Sequence, residues 1–285
     1  MKRRALDLLN RVLEPSNVRL DTLTATRAEA RRLADLALRG HFDKPVYGAL
    51  PPRLFTDPTP LMEAIAADAR IFAKFGAPEL NDVGYSFDND YFSSPDAEVL
   101  YTMIGLRRPK TIIEIGSGHS TRLMRQAVRD RALPTTIVSV DPDPRVDVAS
   151  FADEVHRVRV ETLEAGGIAA RLEVDDILFI DSSHIIAIGG DVSFLYFEVL
   201  PRLRPGVLIH IHDIFLPYEY PQEWVRDHKF GFDEQLLLNG ILHWSDALQV
   251  IWPGYLLQKS DPRFAACFPN ANGRRAQSFW ARKQL

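Results

Sequence analysis

The stretch Thr111-Ile-Ile-Glu-Ile-Gly-Ser-Gly-His-Ser-Thr121 constrains the fold of this chain more than any other. A β-branched apolar run ends near an acidic residue and passes at once into a glycine-bearing turn and a helix. Thr111, Ile112, Ile113 and Ile115 read as a parallel strand buried on both faces. Gly116 and Gly118 admit a close backbone approach that side chains would block. A helix opens at Ser120 or Thr121 and runs through Leu123, Met124, Ala127 and Val128. Strand, glycine turn and helix in this order make a nucleotide-binding turn, but Thr121 stands where a dinucleotide fingerprint has its third glycine. Glu114, two residues before the first glycine, is placed to accept hydrogen bonds from a ligand's hydroxyls or ammonium rather than to face a pyrophosphate.

From there on, strand and helix signals alternate, the pattern of a parallel sheet with crossover helices. Strands are expected at residues 136–141, 158–160, 176–181 and 207–212, with a helix at about 191–203. An aromatic, proline-bearing insert at 214–232 and a helix near 234–242 follow. Residues 247–252 and 277–282 read as two final strands forming a hairpin with a long loop. Before the glycine turn the chain reads as helices joined by proline-rich links. Thr26 and Glu29 have capping-box spacing, and Ala30, Leu33, Ala34, Ala37 and Leu38 form one apolar stripe ending at Gly40. Thr59-Pro60 opens a second helix reaching about Phe75. A polar, aromatic loop from Asn81 to Ser93 leads to a third helix at Ser94-Pro95. The expected organisation is a helical N-terminal cap at 1–93 and one catalytic-type domain at 94–285, with the insert as a lid.

At 285 residues and 46% hydrophobic content, one substantial core with a smaller appendage is within reach. With 34 Lys+Arg against 38 Asp+Glu no basic face is implied, which argues against a nucleic-acid partner and for a small substrate. The single cysteine, Cys267, excludes an intrachain disulfide framework and a CxxC metal site, and fits a reducing cytoplasm. The N-terminus, Met1-Lys-Arg-Arg-Ala-Leu-Asp-Leu-Leu, is basic but lacks the apolar core of a secretory signal. Nothing approaches the apolar length of a membrane span.

Ligands of an open parallel sheet sit outside the carboxyl ends of its strands. Here those ends carry Glu114 and the glycines, Asp141, Asp181 with His184, and His212 with Asp213. Asp141, ending the second strand, is where a carboxylate receives the two hydroxyls of a ribose.

These residues carry a resemblance. Glu114-x-Gly116-x-Gly118, then Asp141, acidic ends on the fourth and fifth strands, and two further C-terminal strands resemble the class I S-adenosylmethionine-dependent methyltransferases. Leu178-Phe-Ile-Asp-Ser-Ser-His184, Leu200-Pro-Arg-Leu-Arg-Pro-Gly206 and His210-Ile-His-Asp-Ile-Phe-Leu-Pro217, with Tyr220-Pro221 and Trp224, resemble a bacterial small-molecule branch. The likeness spans about residues 81–285. It implies an α/β, Rossmann-like seven-stranded sheet, mostly parallel with the last strand antiparallel, and helices on both faces. It implies S-adenosylmethionine as cofactor, with Gly116, Ser117 and Gly118 along its methionine part and Glu114 among its polar contacts. Asp141 would hold the ribose, Ser120, Asp181 and Ser182 would be further contacts, and the segment at Glu161 and Thr162 would lie by the adenine. His119 and Phe232-Asp-Glu-Gln235 depart from the branch's usual residues.

Methyl transfer is an in-line displacement, so alignment and exclusion of water matter more than activation of the methyl group. A hydroxyl nucleophile also needs a base, and His184, His212 and Asp213 are the candidates, His212 or His184 first. The same strand ends admit a divalent metal on Asp181, His212 and Asp213, as in the catechol-type relatives. Tyr91, Tyr218, Tyr220 and Trp224 are candidate contacts for a small-molecule acceptor, or else residues that pack loops on the sheet. The expected activity is O-methylation. The alternatives are a non-methyl displacement such as cyclisation of the cofactor's aminobutyrate chain, a nicotinamide-dependent oxidoreductase, and a non-catalytic cofactor-binding protein. The stripe from Ala30 to Leu38 fits either a cap on the cleft or the seam of a homodimer, a common state among such relatives.

Overall fold

The computed structural model describes residues 2–18, 20, 22–77 and 83–285. Met1, at the head of the N-terminal segment, and Asn81 and Asp82, at the start of the loop expected before the third helix, lie outside the described residues. Helices α1 (Lys2–Leu13), α2 (Thr24–Leu38), α3 (Thr59–Ala67), α4 (Ala69–Phe72) and α5 (Asp96–Arg107) precede the sheet. Then come β1 (Thr111–Ile115), α6 (His119–Asp130), β2 (Thr136–Val140), β3 (Glu154–His156), α7 (Ala165–Ala170) and β4 (Ile177–Ile180). They are followed by α8 (Asp191–Phe194), β5 (Leu208–Ile211), α9 (Gln222–Arg226) and α10 (Glu234–Trp244). The chain closes with β6 (Leu248–Pro253), α11 (Gly254–Ser260), α12 (Phe264–Cys267) and β7 (Phe279–Lys283).

The seven strands form one sheet in the order β3-β2-β1-β4-β5-β7-β6. β7 runs antiparallel to both of its neighbours, and the other pairings are parallel. The expected Rossmann-like sheet is therefore what forms. Strand order reverses between β1 and β4, so the switch point lies over the glycine turn and the end of β4, where a ligand crevice belongs.

Period-two alternation sorts the strand residues between two cores. Ile113, Ile115, Leu178, Ile180, Ile209 and Ile211 pack on one face with helices α7 and α10. Ile112, Ile177, Phe179 and Leu208 pack on the other with α3, α5 and α6. All four residues of β4 are fully buried, each side chain contributing roughly 1.5–3 kcal/mol by leaving water. Because Leu61, Met62, Ile65, Phe72 and Phe75 belong to that second core, the segment before residue 93 is partly built into the sheet domain.

Several boundaries differ from expectation for identifiable reasons. The third strand is Glu154–His156, not residues 158–160; Val160 instead begins a 3-10 turn. It is a short edge strand with polar ends, so no apolar run announces it. Thr26 caps nothing, because α2 already begins at Thr24. The helix expected from Thr59 breaks into α3, α4 and a 3-10 turn. The helix from Asp191 continues through a π-turn at Leu195–Val199 and a 3-10 turn at Leu200–Arg202, where Pro201 supplies no N–H. The long loop of the C-terminal hairpin contains α11 and α12. No described helix is long and apolar enough to cross a membrane.

Candidate active site

A cavity of about 730 Å³ opens over the carboxyl ends of β1, β2, β4 and β5. Gly116, Ser117, Gly118 and Ser120 form one wall, Asp141 and Asp143 the rim beside it, and Asp181, Ser182, His184 and Asp213 the opposite wall.

The turn after β1 is held by a network more specific than glycine freedom. Gly116 has φ +81°, and a Cβ there would stand 1.8 Å from the carbonyl oxygen of Asp181, so only glycine lets β1 and β4 exit this close together. A Cβ on Gly118 would meet no protein atom, which leaves that side of the turn open to the cavity. The backbone N–H of Ser117 donates to Asp141 Oδ2 at 2.7 Å, and that of Asp143 donates to Oδ1 at 2.8 Å. Asp141 thus ties the glycine turn to the end of β2 while keeping lone pairs toward the rim.

Glu114 does something other than expected. It is fully buried, accepts from Ser120 Oγ at 2.6 Å and from the Thr121 hydroxyl, and is absent from the cavity wall. Strand parity explains this: Glu114 shares the face of Ile112, against α6, not that of the cavity. Burial, only partly offset by Ser120 and Thr121, pushes its carboxyl up to about 8. Thr121 Oγ1 also accepts the Gly118 N–H, so the residue in the missing glycine's place locks the turn. Ser120 lines the cavity with its hydroxyl committed to Glu114. Ser182 is the reverse case: its buried hydroxyl lines the cavity without a hydrogen-bond partner among the described residues.

On the opposite wall, His184 adopts φ +59°, and its ring is buried. Nδ1 lies 2.8 Å from Glu234 Oε2, while Nε2 faces Asp181 Oδ1 at 3.3 Å and Asp213 Oδ2 at 3.4 Å. Burial works to lower the imidazole, but the Asp181, Glu234 and Asp213 carboxylates outweigh it and hold His184 well above its ordinary value. For Asp181, burial is outweighed by His212 and His184, which hold the carboxyl down at about 2. For Asp213, burial prevails and raises the carboxyl despite His212 and His184. The glutamate at the head of α10, Glu234, is fully buried.

His212 departs from expectation. It shares the sheet face of His210 and packs beside Phe92 at 5.2 Å, and it does not line the cavity. Its Nε2 comes only within 3.9 Å of Asp213, and neither ring nitrogen has a hydrogen-bond partner among the described residues. The donors that converge within 4.8 Å of one another are Asp181, His184 and Asp213, so His184 replaces His212 in the expected metal set.

Of the aromatic candidates, Tyr91 stands at the cavity mouth, stacked on His119 at 6.0 Å with the Arg145 guanidinium 4.9 Å over its ring. Tyr218, Tyr220 and Trp224 instead join Phe215, Phe232 and Tyr255 in an aromatic cluster, and the Tyr220 hydroxyl accepts the Gln235 N–H. Of the segment expected by the adenine, Glu161 lines the cavity and Thr162 does not. Arg145 and Arg159 line it too, in loops whose composition gave no signal, as does Asp191 at the first turn of α8.

Comparison with known proteins places this geometry. Residues 113–214, from β1 through the loop after β5, match a family model described as a methyltransferase domain. Among solved structures the chain is similar to an O-methyltransferase from Bacillus cereus in complex with SAH. That pair is 16% identical, covers 81% of this chain and 92% of the other, and has a TM-score of 0.37. It is also similar to an SAH-bound methyltransferase from Podospora anserina, 15% identical over 94% and 99% of the two chains, with a TM-score of 0.42. No curated protein matches. The family match spans the glycine turn, Asp141, Asp181, His184 and Asp213, so both walls of the cavity lie in the part of the chain that is similar to a methyltransferase domain.

Proposed function

We propose that the enzyme methylates a hydroxyl of a small-molecule acceptor, with Asp213 as proton acceptor and His184 as its fixed counter-charge. One observation carries this reading: His184, clamped by Glu234, directs Nε2 between the two carboxylates of the cavity wall. S-adenosylmethionine, when bound, supplies an electrophilic methyl group on sulfur. The chain's residues fit it: Gly118 leaves the turn open, Ser182 offers an uncommitted hydroxyl, and Asp141 presents its carboxylate at the rim. A carboxylate raised by burial is a better base than one in water, and the imidazolium 3.4 Å away keeps the protonated and ionised forms close in energy. Tyr91, Arg145 and His119 stack across the mouth, where they restrict water. Cys267 carries a free thiol, in keeping with a cytoplasmic enzyme.

Asp213→Asn and His184→Gln are expected to lose turnover by roughly 10²–10⁴-fold while retaining cofactor affinity. Loss of cofactor binding in step with turnover would remove the base assignment. Product analysis separates methylation, which leaves S-adenosylhomocysteine, from cyclisation of the aminobutyrate chain, which leaves methylthioadenosine.

The convergence of Asp181, His184 and Asp213 favours a second reading in which a divalent ion sits between them and orients the acceptor hydroxyl. The ion would have to displace the proton of His184, whose positive charge already stands between the two carboxylates. Full activity after exhaustive chelation supports the first reading, and activity restored only by added metal supports the second.

A further inference from the structure

A second cavity of about 380 Å³ lies on the far side of Tyr91, lined by Asp90, Asp96, Trp224, Arg274, Arg275 and Gln277 among others. Tyr91 lines both cavities, and Gln277 Nε2 donates to Asp213 Oδ1, so the two share a partition at the proposed base.

The charges on this wall are unevenly satisfied. Asp96 is buried and accepts the backbone N–H groups of Gln277 and Ser278. Arg275 pairs with Glu223 while remaining exposed. Arg274 donates to the Asn89 carbonyl at 2.8 Å, and among the described residues no carboxylate pairs with it. Two guanidiniums thus line the cavity with two carboxylates, exposed Asp90 and buried Asp96; Arg274 is held only by the Asn89 and Phe87 carbonyls, and Arg275 is shared with Glu223. The Gln277 and Ser278 carbonyls accept N–H groups from Ile214 and Gly254, so the run into β7 continues the sheet's pairing.

We propose that this second cavity is the acceptor site and that it takes a small hydroxyl-bearing anion. A carboxylate or phosphate would sit on Arg275 and Arg274, the body of the molecule against Trp224, and the hydroxyl at Asp213. The inference rests on the proposed O-methylation and adds the acceptor's charge class. Binding opens the Arg275–Glu223 pair in favour of a charge-assisted, bidentate one, and Tyr91 shifts from the partition to admit the hydroxyl to the methyl group.

Calorimetric titration of the protein saturated with S-adenosylhomocysteine tests it, with 4-hydroxybenzoate, 4-hydroxyphenyl phosphate and neutral 4-hydroxybenzamide as probes. At least one anion is expected to bind roughly tenfold or more tightly than the amide. Whether carboxylate or phosphate binds better identifies the group. Arg275→Gln should abolish the preference, and Glu223→Gln, which releases Arg275, should strengthen it, both with S-adenosylhomocysteine affinity unchanged. An amide that matches the anions, anions that do not bind, or a preference that survives Arg275→Gln overturns the proposal. Failure of the wild type to bind S-adenosylhomocysteine would instead strike the cofactor reading on which it rests.

Discussion

His184 Nδ1 lies 2.8 Å from Glu234 Oε2, joining the loop after β4 to the first residue of α10 inside the protein. The backbone doubles the link: the N–H groups of Asp233 and Glu234 both donate to the His184 carbonyl. On the proposed mechanism Glu234 is a positioning residue, fixing which ring nitrogen faces the cavity. Glu234→Gln is expected to lower kcat by roughly 10–100-fold with little change in cofactor affinity. A purely structural role would instead lower thermal stability and leave the kinetics of the folded fraction unchanged.

The pH profile carries the same information. On the proposed mechanism, activity needs Asp213 ionised and His184 protonated. Asp213 is raised by burial, so the acid limb should lie above the ordinary carboxylate range. His184 is held up by its carboxylates, so the alkaline limb should lie well above the ordinary histidine value. Removing Glu234's charge takes away one of the groups that raise His184, and the alkaline limb of Glu234→Gln should move to lower pH. An alkaline limb that stays in place would contradict the assignment.

Glu114 predicts a stability effect of defined sign. Its folded value of about 8 lies above its unfolded value of 4.5, so its contribution is fully present below pH 4.5 and is lost as pH rises through 8. The loss is on the order of 5 kcal/mol in total. Denaturant titrations of the cofactor-free protein between pH 4.5 and 8.5 should show a flatter profile for Glu114→Gln than for wild type. Parallel profiles would show that Glu114 remains ionised.

Gly116→Ala should be among the most damaging single-methyl substitutions in the chain. It combines φ +81° with a Cβ 1.8 Å from the Asp181 carbonyl, and a backbone contact cannot move aside cheaply. A loss of roughly 3 kcal/mol or more is expected, read as a large drop in thermal midpoint or failure to fold. Gly118→Ala has room within the protein, and should keep stability while weakening S-adenosylhomocysteine binding.

The sheet was legible in the sequence because its strands are buried on both faces and written as apolar runs closed by acidic residues. β3 escaped because it is a three-residue edge strand with polar ends. At the site, Asp141, Asp181, Ser182, His184 and Asp213 were readable from their places at strand ends, since topology alone brings those ends together. The same signal marks Glu114 and His212, yet neither lines the cavity. Each lies at a strand end, but its parity turns it to the helix face, and parity outweighs proximity. Glu234 and Gln277 enter the site from α10 and from the approach to β7. Glu234 could be read from the sequence either as reaching the cleft or as capping its helix, whereas the place of Gln277 depends on how distant segments close over the sheet, which no local pattern encodes.

Binding of S-adenosylhomocysteine, measured calorimetrically on the wild type and on Asp141→Ala, tests the central claim most directly. One equivalent per chain is expected, with affinity lowered roughly tenfold or more when the Asp141 carboxylate is removed. No binding by the wild type, or binding of a nicotinamide dinucleotide in its place, would contradict it.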